Sequence, residues 1–333
     1  MTPLLLAAAL APSLAFADDA IIGGDVSRDH LAVGQIAGYH ERYGLAPFCS
    51  GTLVRDTWVV TAAHCIDGAD EYIRYGMDII FIVGYTVTTS SGIEDYAVVT
   101  DLIPHPDYRM PYNDVGLLEL EGEGLPDVEK IALNQDGVRS DWVGTDITYV
   151  GWGIQNDRGS GSGTKREVDV PIYTYDGGLI ITHDPAGERN ICSGDSGGAA
   201  LRPDPSTGEL ELVGVNSFGY MLDGSREVLC EDPDAAAGVS RVDDAYDWFL
   251  SYIGEEEPEV DPDDGEGAED GGDDGGDDTG FDGEDDGEDQ DFGESQPNSG
   301  DGEIKGGCSV SGMSGGLALG LFGLVGVAAR RRD

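Results

Sequence analysis

Positive charge is what this chain has least of. Its 333 residues hold 18 Lys and Arg against 66 Asp and Glu, a formal net charge of −48. So acidic a surface repels phosphates, which excludes nucleic acid as a partner. The shortage is sharpest over residues 255–303, which have no Lys or Arg and only Phe281 and Phe292 as aromatics. A stretch made of Asp, Glu and Gly cannot bury enough apolar surface to offset chain entropy, and its charges repel one another. The composition therefore predicts a disordered acidic linker over residues 254–306. Its Asp-Gly repeats lack the ordered ligand spacing of an EF-hand or a nonapeptide calcium repeat. No metal site and no cofactor is expected. Cysteine is scarce too: the five present make two pairs with one left over.

Long apolar runs are confined to the two ends. Residues 4–14 are apolar and are followed by Ala15-Phe16-Ala17, whose small residues suit signal peptidase. The positive flank usual before such a run is missing, leaving only the amino terminus, yet residues 1–17 still read as a signal peptide. Export leads to an oxidising compartment, where disulfides persist. At the other end, Gly306-Gly307-Cys308 precedes a glycine-rich apolar run over residues 312–329 and then Arg330-Arg331-Arg332. That run is at the lower edge of bilayer-spanning length, and the arginines would stay on the cytoplasmic side. Residues 307–333 thus read either as a membrane anchor or as a processed sorting segment. They resemble the C-terminal sorting signals of myxobacterial surface proteins. That resemblance implies cutting near Cys308 by a sorting protease, after passage through the export machinery. The expected location is secreted or anchored at the outer surface of a Gram-negative cell.

Between these ends lie three short motifs. Cys192-Ser193-Gly194-Asp195-Ser196-Gly197-Gly198 places a serine among glycines, which allow a tight turn and let two N–H groups aim at one spot. A serine hydroxyl needs a base beside it to act as a nucleophile. Thr61-Ala62-Ala63-His64-Cys65 supplies one, and Asn113-Asp114 before the apolar Val115-Gly116-Leu117-Leu118 supplies an acid to orient it. The other histidines, His30, His40, His105 and His183, read as surface or structural. A lipase or esterase is the weaker alternative, because its nucleophile sits in a strand-turn-helix elbow within a βαβ pattern that this chain lacks.

The order His, Asp, Ser and the residues around each resemble the trypsin/chymotrypsin family of serine proteases over residues 21–253. Short β-branched and aromatic runs bounded by Gly, Pro, Asp and Ser, at 58–61, 78–83, 96–102, 147–150 and 210–216, agree with an all-β protein. The resemblance implies two six-stranded antiparallel β-barrels and a C-terminal helix, for which residues 242–253 have the spacing. It implies a catalytic triad of His64, Asp114 and Ser196, an oxyanion hole of the Gly194 and Ser196 N–H groups, and Ser217 beside the triad acid. It also implies disulfides Cys49–Cys65 and Cys192–Cys230. Cys308 is then the odd cysteine. Protein or peptide substrates and a monomeric state follow, with a non-enzymatic binding module on the same scaffold as the competing class.

Ile21-Ile22-Gly23-Gly24 matches the mature amino terminus of the family, where a freed α-ammonium pairs with the acid beside the nucleophile, here Asp195. Ala20 stands where Arg or Lys is common, so freeing Ile21 calls either for an activator that cuts after small residues or for signal peptidase to cut after Ala20, with Asp18 ill-suited three residues before that cut. At the pocket floor the family comparison gives Asn190, with Gly219 and Gly238 as small wall residues and Ile191 adding apolar bulk. An unpaired charge buried there costs several kcal/mol, so a neutral residue is expected before the scissile bond. Asp223, Asp232 or Asp234 reaching the pocket would restore Arg/Lys preference.

Overall fold

The computed structural model describes residues 21–255. The expected signal peptide, residues 18–20, the expected acidic linker beyond residue 255, the expected sorting segment and Cys308 lie outside the described residues. Among the described residues no helix is long and apolar enough to cross a membrane.

In chain order the strands are β1 (Asp25–Val26), β2 (Val33–His40), β3 (Gly44–Arg55), β4 (Trp58–Thr61), β5 (Asp78–Gly84), β6 (Ile93–Pro104), β7 (Gly116–Leu120), β8 (Ala132–Leu133), β9 (Asp146–Gly151), β10 (Arg166–Tyr175), β11 (Leu179–His183), β12 (Ala199–Pro203), β13 (Leu210–Met221) and β14 (Ala235–Arg241). The two helices are α1 (Ala63–Arg74) and α2 (Tyr246–Ile253). Six strands close a first barrel in the order β2-β3-β4-β7-β6-β5, every pair antiparallel. A second six-stranded antiparallel barrel runs β9-β10-β11-β14-β13-β12 and returns to β9. Closure leaves neither barrel with a free edge. The short β1 pairs with β10, and β8 lies parallel to β13.

Side-chain alternation explains these strands. In β10, Val168, Val170 and Ile172 are buried while Asp169 and Tyr173 face out. One apolar cluster joins the barrels: Val54, Val60 and Leu118 from the first meet Val150, Leu201 and Leu212 from the second. Phe249 of α2 is fully buried in the same cluster, a burial worth roughly 2–3 kcal/mol. Trp248 lies against His105, with ring centroids 4.8 Å apart, so α2 also braces the loop before β7.

The helix α1 was not expected from the sequence. Its buried residues Ala63, Ile66 and Ala69 recur at helical spacing, and Cys65 is tied back to Cys49 of β3 by a disulfide. The second disulfide joins Cys192 to Cys230 across 38 residues.

Candidate active site

The chain leaves β4 through Ala62, which is still extended, and enters α1 at once, so His64 sits in the first turn of the helix. Asp114 comes from the loop before β7 and follows Asn113, whose positive φ of 53° an asparagine tolerates. The Asp114 side chain is wholly buried. Its Oδ1 accepts the His64 backbone N–H at 2.9 Å, and its Oδ2 lies 2.7 Å from His64 Nδ1. Ser217 of β13 donates its hydroxyl to the same Oδ2 at 2.5 Å. An ionised carboxylate facing Nδ1 requires the proton there, which leaves Nε2 as the basic nitrogen. The second barrel adds one more hold on the acid: its backbone N–H donates to Ser240 Oγ at 3.2 Å. Ser240 was not singled out in the sequence, because a lone serine inside a strand carries no motif.

Ser196 approaches from the loop before β12. Its carbonyl accepts the Ser50 N–H of β3 at 2.8 Å. Gly197 has φ +77°, and a Cβ there would lie 2.2 Å from Thr61 Oγ1 and 3.1 Å from the Ala62 nitrogen. Only glycine permits so close an approach, and it presses the loop onto the strand end that leads into His64. Ser196 is half-buried and its Oγ makes no hydrogen bond among the described residues, so the His64–Ser196 contact is not formed here. Such bonds often tighten only when substrate is bound.

The backbone N–H groups around Ser196 divide into spent and free. Asp195 donates to the Cys192 carbonyl at 3.1 Å, Gly197 to Asn216 at 2.8 Å and Gly198 to Asp195 at 2.9 Å. Gly194, at φ +94°, and Ser196 donate to no protein acceptor among the described residues. Two free donors beside a serine hydroxyl can hold an oxyanion.

Behind this loop Asp195 is completely buried. Its carboxylate accepts N–H groups from Gly153 at 2.8 Å and Cys192 at 2.9 Å, and no cation contacts it among the described residues. Burial without a counter-ion pushes its pKa up to about 7. Ile21 is also fully buried and packs in one apolar cluster with Ile191, while the Ile22 carbonyl accepts the Asn190 N–H at 3.2 Å. No ion pair joins Ile21 to Asp195 in this chain, where the Ile21 nitrogen is bonded to Ala20. Ile21 has a positive φ of 47°, unfavourable for a β-branched residue.

A pocket beside Ser196 is lined by Asn190, Ile191, Cys192, Ser217, Phe218, Gly219, Val228 and Cys230, among others. The Asn190 amide is engaged by backbone: Oδ1 accepts the Ile191 N–H at 2.9 Å and Nδ2 donates to the Cys230 carbonyl at 3.4 Å. Gly219 stands on the wall as expected, facing Val228, which sequence reasoning missed. Gly238 does not stand there. It pairs with Phe218 just past a register shift in β13, and a Cβ on it would lie 2.3 Å from the Phe218 ring. Asp223 and Asp234 are exposed and Asp232 half-buried, and none of them lines the pocket. The four other histidines lie in other settings: His105 against Trp248, His183 on the Ala235 carbonyl, His40 beside Tyr43 and His30 near Glu167.

The chain is similar in sequence to known proteins. The trypsin family profile matches residues 21–248. Trypsin-1 of Salmo salar is 27% identical over 271 residues, covering 76% of this chain and 99% of its own length. Brachyurin of Leptuca pugilator is 30% identical over 225 residues, 62% of this chain and 88% of its own. A venom serine protease of Polistes dominula is 28% identical over 224 residues, 62% and 74% respectively. Since the match runs from the first described residue into α2 and takes in both barrels, this chain belongs to the trypsin family and is a serine-type endopeptidase.

Proposed function

We propose that this peptidase cleaves proteins after neutral residues through Ser196, His64 and Asp114. Ser196 Oγ attacks the scissile carbonyl carbon while its proton passes to His64 Nε2. The resulting oxyanion is held by the Gly194 and Ser196 N–H groups, where one donor is typically worth about 3 kcal/mol. His64 then gives the proton to the leaving amine, and water releases the acyl group by the same route. Asp114 holds the imidazole in its working tautomer and stabilises the imidazolium, without taking the proton itself. The observation that carries this reading is the grip of buried Asp114 on both the backbone and the ring of His64.

Preference for a neutral residue rests on the pocket, which Asn190 lines and in which no carboxylate stands among the described residues. Lys or Arg would lose solvation there without gaining a partner. Activation follows from Asp195: removal of residues up to Ala20 frees an α-ammonium at Ile21 and relieves its φ constraint, and the new cation pairs with the buried carboxylate. The export signal and the tail make the enzyme secreted or tethered at the cell surface. Cleavage profiling of the purified, processed enzyme on a mixed peptide library tests the reading. Cuts after Leu, Phe, Tyr or Met should dominate, whereas dominant cutting after Arg or Lys would overturn the pocket assignment.

A further inference from the structure

Residues 153–157 join the nucleophile loop to the far wall of the pocket. Beside Ser196, the Gly153 N–H donates to Asp195 Oδ1 and the Ile154 N–H to the Ser193 carbonyl, both at 2.8 Å. Further on, Asp157 reaches the opposite side. Its Oδ1 accepts the Cys230 N–H at 2.7 Å and its Oδ2 the Glu231 N–H at 3.3 Å. Glu231 returns the contact, its Oε2 accepting the Asp157 N–H at 3.0 Å. Each carboxylate thus caps the other residue's backbone, across 74 positions of sequence.

Cys230 is the residue this interlock holds. Its N–H is taken by Asp157, its sulfur by Cys192 and its carbonyl by Asn190 Nδ2. Cys192, Asn190 and Cys230 all line the pocket. Val228, two residues before, forms the wall opposite Gly219. We infer that Asp157 is a positioning residue for substrate selection, fixing the Cys230 wall through its backbone without touching substrate. The inference rests on the peptidase reading of the Ser196 site. Asp157 and Glu231 are exposed, so water replaces the carboxylate cheaply when it is removed, and the fold loses little. The wall then becomes mobile, and ordering it again is charged against substrate binding.

The test compares wild type, Asp157→Ala and Asp157→Asn as processed enzymes, on two peptide substrates that differ only in Leu or Phe before the scissile bond. Active sites are counted with a small fluorophosphonate, which needs the nucleophile but not the pocket. Per active site, Asp157→Ala should raise KM about tenfold, the size of the cost of ordering one wall side chain, with kcat much less affected. The Leu/Phe ratio should also change. Asp157→Asn keeps an acceptor for the Cys230 N–H and should recover most of the loss. Unchanged KM and ratio, or a lowered melting temperature with unchanged KM, would show that the interlock is structural only and overturn the inference. A wild-type enzyme that neither takes the label nor cleaves would instead sink the peptidase reading, and the inference with it.

Discussion

Removing residues 18–20 should change how the stability of the domain depends on pH, and Asp195 is the reason. Its carboxyl is fully buried, and its pKa stands at about 7 against an ordinary 3.8. Between about pH 4 and 7 the folded chain keeps that proton while the unfolded chain has lost it. The folded state therefore binds more protons, and stability falls as pH rises through this window. The gap between the two values corresponds to roughly 4 kcal/mol, all of it lost above about pH 7. A free Ile21 ammonium paired with the carboxylate removes the loss, because the ionised form is then favoured in the fold. The assay is urea unfolding of two Ser196→Ala proteins, one starting at Asp18 and one at Ile21, across pH 5 to 8. The inactive background prevents self-digestion. The longer form should weaken by several kcal/mol relative to the shorter one as pH rises. Parallel curves for the two proteins would refute the pairing and, with it, the activation mechanism.

Three further outcomes follow from the geometry. Asp114→Asn should fold yet lose about 10⁴-fold in kcat near neutral pH, because the amide presents the wrong tautomer of His64; a rate near wild type would move the orienting acid elsewhere. Asn190→Asp should shift cleavage toward Arg and Lys, though incompletely because Ile191 and Val228 remain, and the peptide library reads that shift directly. Lys165 is wholly buried with its Nζ donating to the His30 carbonyl at 2.9 Å, and desolvation lowers its pKa to about 8. Between pH 8 and 10.5 the unfolded chain holds the extra proton, so wild-type stability should rise with pH there. Lys165→Met should be more stable at pH 7 by up to about 3 kcal/mol, since the His30 carbonyl keeps the Val33 N–H as donor. That gap should narrow toward pH 10, as chemical denaturation at the two pH values will show.

The all-β character was legible from short β-branched runs, the two barrels only through the family resemblance, and β4 (Trp58–Thr61) coincides with the run seen in the sequence. The site residues were legible because each carries its own flanking pattern: glycines around Ser196, Ala-Ala before His64, an apolar strand after Asp114. What escaped depends on distant chain segments. In α1 the helical period is broken up by Asp67 and Gly68, both weak helix formers. Lys165 lies in a Thr-Lys-Arg-Glu run that reads as surface, yet the segment after β1 covers it, with the Ser27 N–H on its carbonyl and His30 over its amine. Family likeness puts Gly238 on the pocket wall, whereas a register shift between Asn216 and Phe218 sets which residue it faces. No local pattern encodes a register shift of that kind, nor the Asp157–Glu231 interlock.

The most direct test of the central claim is a single labelling experiment. Processed enzyme is treated with diisopropyl fluorophosphate, residual peptidase activity is followed, and the modified residue is located by peptide mass mapping. Activity should fall in proportion to one adduct per chain, with that adduct on Ser196 and none formed in Ser196→Ala. Loss of activity with the adduct on another residue, or full activity in Ser196→Ala freed of other proteases, would contradict the account.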